Sequence, residues 1–110
     1  MDFSEYQDRA VSTAIYPGKG TVLGLAYVGL GLGEAGEVQG KIKKVLRDDA
    51  GELTEQARIA IAKEAGDMLW YAAALAEEIE IPLEVIAQMN LNKLSDRAGR
   101  GVLGGSGDDR

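Results

Sequence analysis

The chain has 110 residues, 45% hydrophobic and 27% charged, with 18 acidic against 12 basic side chains and neither Cys nor His. That length suits one domain with one core, and the two missing residue types exclude Ser-His and Cys-His nucleophiles, zinc held by thiolate or imidazole, haem and iron–sulfur ligation, and disulfides. Any resident metal must be held by oxygen, which favours Mg²⁺, Mn²⁺ or Ca²⁺, and a net charge of −6 makes a nucleic-acid polymer or an anionic membrane a poor partner.

The pattern along the chain predicts an all-α, four-helix antiparallel bundle. Ser4 with Gln7 three residues on reads as a capping box opening a first helix over 5–15, which Pro17-Gly18 must end. From Thr21 to Leu46 the apolar positions Leu23, Val28, Leu32, Ala35, Val38, Ile42 and Val45 recur at helical spacing, predicting one continuous second helix. A polar turn over 47–52 follows, and Thr54 is the expected N-cap of an Ala-rich third helix running to about Ile79. Pro82 suits the first position of a fourth, carried by Leu83, Ile86, Ala87, Asn90 and Leu94 to about Arg97. Residues 1–98 then form the domain. The segment 99–110, with five glycines in twelve residues, is expected to be a flexible tail.

Residues 68–76, Met-Leu-Trp-Tyr-Ala-Ala-Ala-Leu-Ala, are apolar all round, and a helix of that kind must be covered on every side. Three further helices are too few, so the chain is expected to form a homo-oligomer. Gly29, Gly33, Gly36 and Gly40 fall at steps of four, three and four, a smooth strip kept despite about 1 kcal/mol lost per helical glycine, which predicts another backbone packed against it. No basic, apolar leader and no run long enough to span a membrane is visible, so a cytoplasmic protein is expected.

Two tetrapeptides nearly repeat: Glu34-Ala35-Gly36-Glu37 and Glu64-Ala65-Gly66-Asp67. Each puts two carboxylates on one helix face. The quartets are equidistant from residue 50.5, in the Ala50-Gly51 turn, so an antiparallel hairpin brings all four acids level. The stripe through Glu64 and Asp67 contains Ala57, Ile61, Met68, Tyr71 and Leu75, which predicts acids set among core residues. Anions buried together need compensation, and divalent cations would supply it. Lys41 and Lys44 follow one and two turns beyond Glu37 and suit a polyphosphate. A single pair of acids three apart is commonly solvated helix surface; two near-identical pairs level across a hairpin point to a shared site. Asn90 on an apolar stripe reads equally as a core hydrogen-bonding residue, Lys93 and Arg97 as surface charges, and Trp70 and Tyr71 as packing before base stacking. The Gly29–Gly33 run is not a phosphate loop, because no Lys-Ser/Thr follows and no strand precedes it.

The run Gly31-Leu32-Gly33-Glu34-Ala35-Gly36-Glu37-Val38 with Lys41-Ile42-Lys43-Lys44, then Lys63-Glu64-Ala65-Gly66-Asp67-Met68-Leu69-Trp70-Tyr71, then Asn90-Leu91-Asn92-Lys93-Leu94-Ser95-Asp96-Arg97, resembles the MazG-type nucleotide pyrophosphohydrolases over about residues 20–97. The resemblance implies an all-α bundle working as a homodimer or a dimer of dimers. It also implies Mg²⁺, with Mn²⁺ as a substitute, held by Glu34, Glu37, Glu64 and Asp67. The implied reaction is attack by metal-activated water between the α and β phosphates of a nucleoside triphosphate, with Glu34 or Glu37 as candidate general base. Asn90 and Lys93 match positions associated with nucleotide or phosphate, and Lys41, Lys44 and Tyr71 join them as candidate substrate contacts. Where many members carry a further acid before the first pair, this chain has Gly33. The competing expectation is a non-catalytic helical oligomerisation module whose acids are structural.

Overall fold

A computed structural model describes residues 1–110, apart from the side chains of Glu34 and Ala35. The chain is 70% helix, and no strand occurs among the described residues. In order, α1 is Phe3–Val11, α2 Val22–Gly31, a 3₁₀ turn Leu32–Glu34, α3 Ala35–Asp48, α4 Glu55–Glu78 and α5 Leu83–Arg100. These are the four expected helical segments, with one difference: the second is broken at its Gly-rich middle. Gly29, Gly31 and Gly33 lower helix stability over that stretch, and the tighter turn separates α2 from α3.

The first helix is shorter than its capping box suggests. Its N-cap is Asp2, whose carboxylate accepts from the Glu5 amide at 2.8 Å. Ser4 and Gln7 are used elsewhere: the Ser4 hydroxyl donates to Glu84 at 2.7 Å, and Gln7 Oε1 accepts from the Leu83 amide at 2.8 Å, so both tie α1 to the start of α5. The helix stops at Val11 because the hydroxyls of Ser12 and Thr13 take the carbonyls of Arg9 and Ala10. Thr54 caps α4 as expected, accepting from the Ala57 amide at 3.1 Å. At the far end α5 runs three residues past Arg97 and stops at Gly101, whose left-handed φ of 72° closes the last turn.

The long helix α4 is the central post, touching α1, α2, α3 and α5. Ala73, Ala74 and Ala76 are buried on it. One core cluster joins Ala10, Ala73, Ala76 and Leu83 with Tyr6, Trp70 and Ile86 around them; the other joins Ala14, Tyr16, Val28 and Ala74 under Trp70, Tyr71 and Leu75. Small alanines let three helices approach the post closely. The run 68–76 is therefore largely covered within one chain, and only Leu69 stays exposed, so it does not carry the oligomer expectation. The uncovered apolar surface lies elsewhere. On α2 and its flanks Val22, Leu23 and Leu30 are exposed, and α5 beyond Ala87 exposes Met89, Leu91 and Leu94. The chain presents 7642 Å² to solvent, where a folded monomer of this mass presents roughly 5,900 Å². Its radius of gyration is 16.7 Å against about 13 Å for a close-packed chain of this length.

Candidate active site

The loop between α1 and α2 fixes the top of the post. Tyr16 packs edge-on to Trp70, with ring centroids 6.4 Å apart, and donates its hydroxyl to Glu78 near the end of α4. The same carboxylate accepts from the Gly20 amide at 3.1 and 3.2 Å. Burial, then the bond to Glu78 and the charges of Glu78 and Glu77, push the Tyr16 phenol well above its ordinary range. This staple leads the chain into α2 beside α4. There Gly31 lies directly against the ring of Tyr71, which leaves no room for a Cβ. Trp70 meets Tyr71 edge-on at 5.2 Å and donates its indole N–H to Thr13 at 2.9 Å. Tyr71 is thus a packed wall beneath the 3₁₀ turn, as the packing reading has it.

Beyond the turn, α3 returns along α4. Lys41 Nζ stands 3.9 Å from Glu64 Oε1, across the seam between the two helices. The Glu64 side chain is 18% exposed, and among the described residues its carboxylate makes this long ion pair and no hydrogen bond. Beside it lies a cleft of about 350 Å³ lined by Lys41, Gln56, Ile59, Ala60, Lys63 and Glu64. Contacts of Gly31 with Tyr71 and of Lys41 with Glu64 are centred on residues 51 and 52.5. The expected centre of 50.5 is therefore close, and the two acid pairs lie within about one to four residues of level, roughly 1.5–6 Å along the axes.

Asp67, one turn after Glu64, is exposed and faces α1, where its charge adds to burial in raising the Tyr6 phenol. Glu37 is exposed on α3. Of the three described acids, only Glu64 fits the expectation of acids among core residues; Glu37 on α3 and Asp67 on α4 are open to solvent. The side chain of Glu34, the fourth expected ligand, lies outside the described residues. Among those described, no three acids stand close enough together to hold a metal. The donors are nonetheless of the right kind for Mg²⁺, hard carboxylate oxygens from two facing helices, with Glu64 partly desolvated and incompletely paired.

The cations divide. Lys41 is at the seam, whereas Lys44 is exposed one turn further along α3, where the hydrogen bond from Arg47, then the charges of Arg47 and Lys44, hold the Asp48 carboxyl below its usual range. Asn90 is exposed, not on a buried stripe, since α5 is anchored near its start through Leu83 and Ile86 and is uncovered one turn further on. Lys93 pairs with Asp108 of the C-terminal segment at 2.7 Å. Two further residues are placed differently from what their pattern suggests. Lys63 reaches the cleft as the neighbour of Glu64. Arg97, read as a surface charge, is 5% exposed; its position four residues after Lys93 was the available signal.

The model of the MazG nucleotide pyrophosphohydrolase domain matches residues 25–101, which span the 3₁₀ turn, both acid pairs and all of α5. The chain belongs to the MazG nucleotide pyrophosphohydrolase family. It is also similar over its whole length to the Gene 37 protein of Mycobacterium phage L5, 50% identical and covering all of both chains. No solved structure matches it. Among the described residues no helix is long and apolar enough to cross a membrane.

Proposed function

We propose that the protein is a Mg²⁺-dependent nucleoside triphosphate pyrophosphohydrolase, converting a nucleoside triphosphate and water to the monophosphate and pyrophosphate in nucleotide-pool house-cleaning. The observation that carries this reading is the incompletely paired Glu64 carboxylate facing Lys41 across the α3–α4 seam, inside the segment the family match spans. Glu34, Glu37, Glu64 and Asp67 would hold the metal, Mg²⁺ or in its place Mn²⁺; bound there, it supplies charge for the triphosphate and acidifies water.

The chain's own residues do the rest. Glu37, or Glu34, accepts the proton of the attacking water as the α–β anhydride breaks and pyrophosphate leaves. Lys41 at the seam, with Lys44 beyond it, meets the phosphates, and nucleotide binding then competes with the long Lys41–Glu64 pair. Tyr71 forms the wall behind the nucleotide, and Asn90 and Lys93 approach from α5.

Completion of the site by a second copy is part of the reading. The support is the excess of exposed surface, the apolar side of α2, and the open glycine strip at Gly29, Gly33, Gly36 and Gly40, where an added Cβ would meet nothing within 4 Å. A homodimer, or a dimer of dimers, would cover this face and desolvate Glu37 and Asp67. A cytoplasmic location goes with such substrates. The non-catalytic oligomerisation module uses the same apolar face but gives no account of Glu64. Glu64→Gln and Asp67→Asn separate the two: both should lose triphosphate turnover and keep the helical circular dichroism, and full activity in either would reject the assignment.

A further inference from the structure

The C-terminal segment is rich in glycine, yet the structure folds it back onto α5. After Gly101, the Val102 amide donates to the Arg97 carbonyl at 2.9 Å. Gly105 and Gly107 take left-handed φ of 98° and 87° and curl the chain. Arg110 closes the loop by donating to the carbonyls of Val102, Leu103, Gly104 and Gly107, while Arg100 donates to the carbonyl of Arg110.

The loop delivers one carboxylate to two cations. Asp108 Oδ1 lies 2.7 Å from Lys93 Nζ and 3.3 Å from Arg97 Nη2. The buried Arg97 guanidinium also donates to the carbonyls of Asp108 and Gly107, so it is the anchor, and Lys93 is the cation neutralised by the tail. The bonds from Lys93, their charge, and the contact with Arg97 hold the Asp108 carboxyl below its usual range. Lysine and arginine grip phosphate oxygens through the same donors they offer a carboxylate.

We propose that Asp108 is a tethered competitor: its carboxylate occupies the Lys93–Arg97 anion site, and the phosphates of an incoming nucleotide must displace it. This rests on the reading of Lys93 as a phosphate contact. The tail then lowers the apparent affinity for polyphosphate by the fraction of time it is docked.

The test is calorimetric titration of the full-length chain with inorganic pyrophosphate. Asp108→Asn is compared with Asp109→Asn, which removes the same charge from the neighbouring residue. Asp108→Asn keeps the Arg97 contacts to the backbone, so the tail remains anchored. It should bind pyrophosphate about three- to fivefold more tightly than Asp109→Asn, an advantage that shrinks in high salt. In the unsubstituted chain, saturating pyrophosphate should speed hydrogen exchange of the amides of residues 102–108. Equal affinities of the two variants, or unchanged exchange, would overturn the competitor. A Lys93→Ala chain that binds pyrophosphate as well as the unsubstituted one would instead overturn the phosphate reading beneath it.

Discussion

Replacing Gly29 and Gly40 together by alanine separates two states of the open face of α2 and α3. Both lie in helices, and neither has a heavy atom within 4 Å of an added Cβ. In an isolated chain only helix propensity acts, at about 0.8–1.0 kcal/mol per site, so the double variant would gain about 2 kcal/mol. For a domain of this size that raises the melting midpoint by about 8 °C. If a second backbone lies on the strip, each methyl enters a close helix contact, and overpacking of about 1–3 kcal/mol reverses the sign. Reversal is the expected outcome. The double variant should melt lower than the unsubstituted chain, its midpoint should depend more steeply on protein concentration, and sedimentation velocity should show a smaller species. A variant that melts higher and sediments unchanged would refute the inference that a second copy covers the strip.

Glu64→Gln should lower triphosphate turnover by about a hundredfold or more, with the α-helical spectrum retained; a change of less than threefold, by roughly the same scale, would place Glu64 outside the chemistry. Thr54→Ala removes the cap bond to the Ala57 amide and should cost about 1 kcal/mol, read as a drop in the urea midpoint at constant slope. For Tyr16 the folded-state pKa is raised, so the unfolded chain releases its phenolic proton first as pH rises. Its contribution is therefore complete below the unfolded value of about 10 and is lost as pH climbs through the folded value. The melting temperature of the unsubstituted chain should fall toward that of Tyr16→Phe above this range, and parallel pH profiles would contradict the assignment.

Periodicity and caps carried most of the fold. Thr54 caps α4 as expected, and Pro82 stands one place earlier than expected, at the N-cap of α5; the two acid pairs lie within about one to four residues of level across the α3–α4 turn. The errors have physical causes. Ser4 and Gln7 look like a local capping box but serve the start of α5, eighty residues away, a contact that no local pattern encodes. The break at Leu32–Glu34 follows from glycines whose spacing, read alone, matches a continuous helix. Burial of the apolar run on α4 depended on how closely alanines admit three neighbours, which packing decides. Exposure of Asn90 and burial of Arg97 turn on where α5 leaves α4 and where the tail lands. Neither leaves a trace in hydrophobic spacing.

The reaction itself is tested by incubation with each of the eight common ribo- and deoxynucleoside triphosphates, with and without Mg²⁺, resolving products by anion-exchange chromatography. Monophosphate and pyrophosphate should form in equal amounts, and only with the metal. Diphosphate with orthophosphate, or no Mg²⁺-dependent product from any of them, would rule out cleavage between the α and β phosphates by this protein.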